Sequence, residues 1–322
     1  MKRRAFIGLV GGAAAWPLAV RAQTPGRIYR VGFLTGRPRQ EPGFVALLDE
    51  FRQVGLTEGQ NLTVLGDDIS VADNGAAAAA TALVESFPDA IVVFGLARAK
   101  AVQMATKTIP IVTMTEDMVA DGLASSLAHP GGNITGISLI SLDLDGKRGD
   151  LLLEAVPRLS HIAVLADPTV DTPSHLQVLK DSAKTRGVEL SVFSAKTKEE
   201  IVSALDAAKS SGARAINVLA TQLFFLNGRL VIERANELRL PAVYQWPEMA
   251  EQGGLFGYGP RITGQFRVLG RQLIKVLQGT RPGDVPIEQP SKFELVINLR
   301  TANQIGLDIP ASFVLRADKV IE

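Results

Sequence analysis

The chain has 322 residues, of which 46% are apolar and 21% are charged, and its 34 Lys and Arg nearly balance its 33 Asp and Glu. This length suits two domains with their own cores, and the balanced charge argues against the clustered basic surface that nucleic-acid binding needs. The sequence contains no cysteine, which excludes disulfide bonds, thiolate catalysis and zinc sites built on thiolates.

The first 22 residues have the features of an export signal. The run Lys2-Arg3-Arg4 is basic, residues 5–19 are apolar but too few to span a membrane comfortably, and residues 20–22 suit cleavage after Ala22. The paired arginines favour the twin-arginine route, with ordinary secretion as the alternative. No cysteine follows to carry a lipid anchor. We therefore expect a soluble, monomeric product in the periplasm.

Between the signal and residue 138, apolar runs with strand character alternate with amphipathic helical patterns. The predicted strands are 27–34, 61–65, 90–94 and 109–114, and the predicted helices are 44–55, 75–87 and 95–106. This alternation predicts a parallel sheet that is covered by helices on both faces.

Segment 122–141 separates this half from a second one. It contains a turn cluster at 130–133 and an apolar strand at 134–140, and we interpret it as the passage from one lobe to another. The second half starts the alternation afresh, with predicted strands at 161–166, 189–193, 213–220 and 241–244 and helices at 144–156, 174–186, 198–210 and 229–238. Two such lobes enclose a cleft that can hold a small molecule.

The C-terminal part predicts further crossings between the lobes. A strand at 253–258 is expected to return to the first lobe, followed by a helix at 262–278, a strand at 293–298 and a helix at 300–305. The fold class we predict is α/β, with two Rossmann-like lobes whose parallel sheets are joined by a multi-strand hinge. The predicted domains are a signal peptide at 1–22, an N-terminal lobe of 27–138 with 257–285, and a C-terminal lobe of 139–256 with 286–322.

Two motifs that resemble known ligand sites fail on spacing. Gly257-Tyr258-Gly259 is followed by Gly264, two positions too late for a dinucleotide fingerprint. Residues 141–146 resemble the start of a calcium loop, but its twelfth position is Leu152 rather than a glutamate. The histidines lack metal-ligand spacing and are interpreted as surface or strand-end residues: His129, His161 and His175. We expect no metal, no cofactor and no catalytic residues.

Parallel sheets place their ligands at the carboxyl ends of the strands. By this rule the candidate ligand contacts are Thr35, Gly36, Arg37, Gly95, Leu96, Ala97, Thr115, Glu116, Asp117, Asp167, Gln222, Phe224, Phe225, Tyr244, Trp246 and Glu248. The four aromatic residues are placed in two loops, where they form either a platform for a flat ligand or ordinary core. The pair Glu116-Asp117 either positions a ligand or caps a helix.

These candidates predict a small, largely planar organic solute that carries a carboxylate. Arg37 and the backbone amides near Gly95 are expected to receive the acid group, and Asp117 and Glu248 to face an amine. An aromatic amino acid is the first candidate, and an aromatic acid the second.

Several segments together resemble a known family over residues 30–322. They are 108–112, Asp117, 130–136, 240–244, Gly253-Gly254, Tyr258-Gly259, 289–299 (Gln-Pro-Ser-Lys-Phe-Glu-Leu-Val-Ile-Asn-Leu) and 317–322. With these segments the chain resembles the ABC transporter substrate-binding family grouped with tryptophan/tyrosine-type solute-binding proteins, of the type I periplasmic-binding fold. Departures from the family pattern fall near the expected cleft: Met118 replaces Pro, Gln222-Leu223 replace Asp-Pro, Pro247 replaces Arg, and Gly264 and Phe266 replace Asp and Tyr.

The resemblance implies a periplasmic receptor that closes over a small solute and presents it to the membrane permease of an ABC importer. A ligand-sensing module for a membrane receptor uses the same clamp and is the alternative. An exported enzyme is the rival from another class, since twin-arginine export often serves redox enzymes.

Overall fold

The computed structural model describes residues 26–36, 38–66, 75–139 and 141–322 of the chain. The predicted export signal and the candidate ligand contact Arg37 lie outside the described residues.

The first sheet has five parallel strands. They are β1 (Tyr29–Leu34), β2 (Leu62–Leu65), β3 (Ala90–Phe94), β4 (Ile111–Thr115) and β5 (Ile134–Ser138), and the helices among them are α1 (Pro42–Gln53), α2 (Ala76–Glu85) and α3 (Leu96–Ala105). The strand order is β2-β1-β3-β4-β5. Every residue of β3 and β4 is buried, because helices cover both faces of the sheet.

The second sheet has seven strands. They are β6 (His161–Ala166), β7 (Glu189–Ser194), β8 (Ala215–Val218), β9 (Ala242–Tyr244), β10 (Phe256–Gly259), β11 (Glu294–Asn298) and β12 (Lys319–Ile321). Their order is β12-β11-β10-β9-β8-β6-β7. The described pairs are parallel except β10 with β11, which is antiparallel. The two-lobe α/β prediction is thus confirmed, with one antiparallel pair in the second sheet.

Nine α-helices of the described residues lie in the part of the chain from residue 141 onward, which also forms the second sheet. They are α4 (Ser141–Ala155), α5 (Pro173–Thr185), α6 (Lys198–Ser210), α7 (Gln222–Leu226), α8 (Gly228–Glu237), α9 (Pro247–Glu251), α10 (Ile262–Leu277), α11 (Leu299–Ile305) and α12 (Ala311–Val314). Helix α10 packs against α1 and against β3, β4 and β5 of the first lobe.

The strand β10 does not return to the first lobe, so this part of the sequence prediction is wrong. It pairs with β9 and β11 in the second sheet. Gly257 and Gly259 make this position possible, because a Cβ atom on them would lie 2.2 Å and 2.1 Å from the carbonyl oxygens of Trp246 and Gln245. Residues 257–259, which we predicted for the N-terminal lobe, therefore lie in the sheet of the other lobe.

The chain crosses between the lobes at three places in the described residues. The first crossing follows β5, the second is made by Pro260 and Arg261 between β10 and α10, and the third precedes β11. Before the third crossing the chain runs beside β5. The amide of Glu288 donates to Gly136 O at 3.0 Å, and the amide of Ser138 donates to Glu288 O at 3.0 Å. Residues 286–288, which we predicted for the C-terminal lobe, thus lie beside the first sheet, and the rest of the domain division stays a prediction.

None of the helices in the described ranges combines the length and apolar character that a membrane span requires.

Gly136 allows β4 and β5 to pair closely next to the first crossing, which leads to a stability prediction. Its φ is +150°, and an added Cβ atom would lie 1.8 Å from the carbonyl oxygen of Thr113. We expect Gly136→Ala to lower the free energy of unfolding by about 3 kcal/mol or more, since a clash with backbone cannot be relieved by a side-chain rotation. Chemical denaturation measures this loss.

The matched control is Gly149→Ala in α4, where an added Cβ atom meets nothing within 4 Å. This variant should gain about 0.5–1 kcal/mol from the higher helix propensity of alanine. Equal stabilities for the two variants would contradict the close approach at Gly136.

Candidate functional site

Residues that follow strands of the two sheets meet across the gap between the lobes. Gln222, which follows β8, donates from Nε2 to the carbonyl oxygen of Thr35 after β1 at 3.4 Å. Its Oε1 accepts from Nη1 of Arg98, in the first turn of α3, at 3.2 Å. The carboxyl ends of strands from both sheets therefore face a common cleft, as the strand-end rule predicts.

Gly95 shapes the first-lobe side of this cleft. It has a φ of +85° and precedes α3, and an added Cβ atom would lie 2.8 Å from Oε1 of Gln222. The next residues differ in exposure, with Leu96 half-buried and Ala97 exposed. Gly36, with a φ of +64°, lies beside the Arg98 guanidinium.

Arg98 is the functional candidate that the sequence analysis missed on the first-lobe side. Only 8% of this residue is exposed. Its position in the first turn of a helix that follows a strand-end glycine could have identified it from the sequence. An arginine in a helix is usually solvated, however, so the pattern alone did not mark it as a site residue. The described structure places it where we expected Arg37 to act.

Among the residues after β4, some have a structural role and others remain candidates for the site. Thr115 is buried, and its Oγ1 makes no hydrogen bond among the described residues. Asp117 accepts from the amides of Val119 and Ala120 at 3.0 Å each. These residues form a turn and not a helix, so Asp117 stabilises a turn and the predicted helix cap is wrong. Glu116 is half-buried, and its negative charge helps to raise the pKa of His175 in the second lobe.

Phe224 and Phe225 lie in a helix, not in the loop we predicted. Thr221 caps α7 by accepting from the amide of Phe224 at 3.3 Å. Phe224 is fully buried in the hydrophobic core, whereas Phe225 is half-buried and meets Trp246 edge to face, with ring centroids 6.1 Å apart. A five-residue helix is too short for periodicity to reveal.

The segment from Tyr244 to Glu248 carries four side chains with buried polar atoms that make no hydrogen bond among the described residues. These atoms are Tyr244 Oη, Gln245 Oε1, Trp246 Nε1 and both carboxylate oxygens of Glu248. The segment is not the predicted loop either, since it ends β9 and enters α9. Burial raises the pKa of both Tyr244 and Glu248.

A buried ion pair lies beside the carboxyl ends of β9 and β10 in the second lobe. Nη1 of Arg148 is 2.5 Å from Oδ1 of Asp145, and neither side chain is more than 1% exposed. Arg148 also donates to the carbonyl oxygens of Tyr258 at 2.9 Å and Gln245 at 3.3 Å. It therefore ties α4 to β10 and to the end of β9. Burial raises the pKa of the Asp145 carboxyl to about 6, although Arg148 opposes the shift.

His175 is buried between two carboxylates and is not the surface residue that we predicted. Its Nε2 lies 3.4 Å from Asp145 Oδ2 and its Nδ1 3.6 Å from Asp171 Oδ1. Burial acts to lower the pKa of His175, but the Asp171 carboxylate and the charges of Asp145 and Glu116 outweigh it and raise the pKa. Residues that are 30 positions apart in sequence give no local signal of this cluster.

Asp167 has a structural role in the same region. Its Oδ1 accepts from the amide and hydroxyl of Thr169 at 2.9 Å and 2.6 Å, and its own amide donates to Asp171 at 2.7 Å. It shapes the turn that presents Asp171 to His175. The described residues contain no group of three or more potential ligands arranged to hold a metal ion.

Residues 43–321 match a family model described as ABC transporter substrate binding protein. A tyrosine-binding protein of Clostridioides difficile strain R20291 is 28% identical over 279 residues, which are 84% of this chain and 77% of that protein.

Two solved structures share the fold over nearly the whole chain. The ABC domain in complex with L-Trp from Streptococcus pneumoniae has a TM-score of 0.81 at 23% identity, covering 91% of this chain and 100% of that one. The ligand-free, open structure of a substrate-binding protein with adhesive properties from Clostridium difficile has a TM-score of 0.64 at 21% identity, covering 92% and 99%. Periplasmic binding proteins also share the fold.

The surroundings of His175 predict how stability depends on pH. The folded protein holds the His175 proton more tightly than the unfolded chain, so this stabilisation is complete below the ordinary pKa of 6.5 and is lost as pH rises through the folded pKa. The raised pKa of Asp145 acts in the same direction between 3.8 and about 6. We expect the melting temperature to fall between about pH 6 and pH 8.

His175→Gln should flatten this dependence above about pH 6, because it removes the group that titrates. His129→Gln is the matched control, since His129 is exposed in a loop. Thermal unfolding across the pH range provides the measurement. Parallel profiles for the wild type and the His175 variant would show that the acidic surroundings of His175 do not contribute to stability.

Proposed function

Because this chain belongs to the ABC transporter substrate-binding protein family, we propose that it binds an aromatic amino acid or aromatic carboxylate between its lobes and delivers it to the permease of an importer. The family consists of solute-binding proteins, so the protein is not an enzyme. Two of the relatives support the ligand class, since one is a tyrosine-binding protein and another was solved with L-Trp.

One observation of this chain carries the proposal: several of the buried polar atoms that make no hydrogen bond among the described residues lie at two strand ends. These belong to Thr115 after β4 and to the segment from Tyr244 to Glu248 after β9, and others lie elsewhere, for example in His175 and Asn217. Leaving such a group without a partner costs about 1–3 kcal/mol, so proteins rarely do it. A small molecule with both donors and acceptors, enclosed at these strand ends, supplies the partners.

The charges and rings at the cleft suit the two ends of an amino acid. On the first-lobe side, Arg98 and the amides that begin α3 can receive a carboxylate. On the second-lobe side, the buried carboxylate of Glu248, whose ionised form the charge of Arg261 already favours, can accept from an ammonium group. The edge-to-face pair of Phe225 and Trp246 offers an apolar wall for a ring.

The arrangement of the lobes also supports enclosure of a ligand. The TM-score is 0.81 with the L-Trp complex and 0.64 with the ligand-free open structure, although identity and coverage are nearly equal in the two comparisons. The lobes of this chain thus lie closer to the arrangement of the liganded relative.

Truncation of Trp246 tests the ligand class. Wild-type protein should bind L-tryptophan or L-tyrosine in isothermal titration calorimetry, and Trp246→Ala should weaken binding by roughly 2 kcal/mol, as for buried aromatic anchors at interfaces. Trp246→Phe keeps a ring but removes Nε1, so it should lose less. The matched control is Phe87→Ala, because Phe87 is 81% exposed.

Each result of this titration bears on a different part of the proposal. Unchanged affinity in the Trp246→Ala variant would remove the aromatic wall. Tight binding of a branched aliphatic amino acid or a sugar, without binding of either aromatic amino acid, would overturn the ligand class.

Export can be tested separately. The periplasmic protein should begin at Gln23, and replacing Arg3 and Arg4 together by Lys should block its export if the twin-arginine route is used. N-terminal sequencing of the periplasmic fraction shows where the exported protein begins and whether the double-lysine variant is present there. An intact Met1 in that fraction would contradict cleavage, and undiminished export of the double-lysine variant would favour ordinary secretion.

A further inference from the structure

Gln222 is held firmly by the second lobe. It is the first residue of α7, which Thr221 caps. Nε2 of Gln245 donates to the carbonyl oxygen of Thr221 at 3.3 Å, and Phe224, two residues further on, is fully buried in the core. The backbone of Gln222 therefore moves with the second lobe as one unit.

The side chain of Gln222 ends in the first lobe. Its Nε2 donates to Thr35 O and its Oε1 accepts from Arg98 Nη1, at 3.4 Å and 3.2 Å. The opposite orientation of the amide would place its oxygen against a carbonyl oxygen and its NH2 group against a guanidinium. The partners thus fix the orientation, and both ends of the amide are used.

Because residue 95 is glycine, the first lobe leaves room for this amide in its present position. A Cβ atom on Gly95 would lie 2.8 Å from Oε1 of Gln222, closer than side-chain atoms approach one another. One side chain from the second lobe thus reaches the residues that follow two strands of the first, β1 and β3. These partners, Thr35 and Arg98, lie 187 and 124 residues away from Gln222 in the sequence.

We propose that Gln222 is a cross-lobe latch, a positioning residue whose two hydrogen bonds favour the closed geometry of the cleft. Any separation of the lobes breaks both hydrogen bonds, because Gln222 belongs to the second lobe and its partners Thr35 and Arg98 belong to the first. The role differs from the ligand contact that the sequence predicts for Gln222. It also goes beyond the proposed function, because it concerns the balance between open and closed molecules and not the ligand.

The absence of cysteine from the chain makes the latch directly measurable. Cysteines at Val119 after β4 and at Leu226 in α7, which are 36% and 44% exposed, can carry spin labels on opposite sides of the cleft. Double electron–electron resonance then reports the distribution of distances between the lobes. The ligand-free labelled protein should populate a short distance, and Gln222→Met should shift the population to a longer one.

Methionine is close to glutamine in size but makes neither hydrogen bond, so the variant removes the latch without opening a large gap. The loss of a neutral and a charge-assisted hydrogen bond should lower the ratio of closed to open molecules by about thirtyfold or more. Gln222→Glu keeps a partner for Arg98 and should remain mostly closed. Gln278→Ala, at an exposed glutamine that ends α10, is the matched control.

Two results would overturn the latch: an open distribution in the ligand-free labelled wild type, or the same closed distribution in Gln222→Met. The melting temperature of each variant shows whether it is folded. If Gln222→Met unfolds, Gln222→Glu is compared with Gln222→Ala instead. A Gln222→Glu distribution as open as that of Gln222→Ala would then count against the latch. A failure of L-tryptophan to bind would contradict the proposed function alone, since the distance measurement uses no ligand.

Discussion

The geometry of the cleft depends first on the buried guanidinium of Arg148. It pairs with Asp145 and donates to the carbonyl oxygens of Gln245 and Tyr258, so a single side chain joins α4, the end of β9 and β10. The residues beside Gln245 supply the aromatic and acidic side chains of the cleft, and Tyr258 precedes the second crossing by two positions. Breaking such a buried pair typically costs about 3–5 kcal/mol, because the remaining charge stays buried. The site and the crossing are thus fixed by the same contact.

Close backbone approach is the second constraint. The segment 245–247 passes over β10 at a distance that only Gly257 and Gly259 permit. A pattern that resembles a nucleotide fingerprint is therefore explained by packing between two neighbouring strands. On the other side of the cleft, Gly95 also permits a close approach, because the amide of Gln222 lies beside it at the beginning of α3. In each place a glycine lets a group from a distant part of the chain enter the cleft.

The two lobes contribute complementary chemistry to the cleft. The first lobe supplies a helix N-terminus and the buried cation Arg98, whereas the second supplies carboxylates and aromatic rings. Under the proposed function, a ligand with a negative and a positive end would meet its counterpart on each side only when the lobes are together. Recognition would then be linked to closure without any change in the fold of either lobe.

The sequence by itself determined the local elements and their alternation. Periodicity, glycine and proline positions placed the long helices and the buried strands within a few residues, because these signals act between near neighbours in the chain. The strand-end rule also selected Thr115, Gln222 and Trp246, whose role as ligand contacts stays a prediction. Short helices such as α7 and α9 escaped, since five residues do not establish a period.

Only the tertiary structure decided which partners distant residues take. The pairing of β10 in the second sheet, the burial of Arg98, and the meeting of Asp145, Arg148 and His175 join segments that have no local relation in the sequence. Strand order and hydrogen-bond partners are set by packing across the whole chain. The charge and burial of a side chain in the cleft follow from those partners, which the residue type alone does not specify.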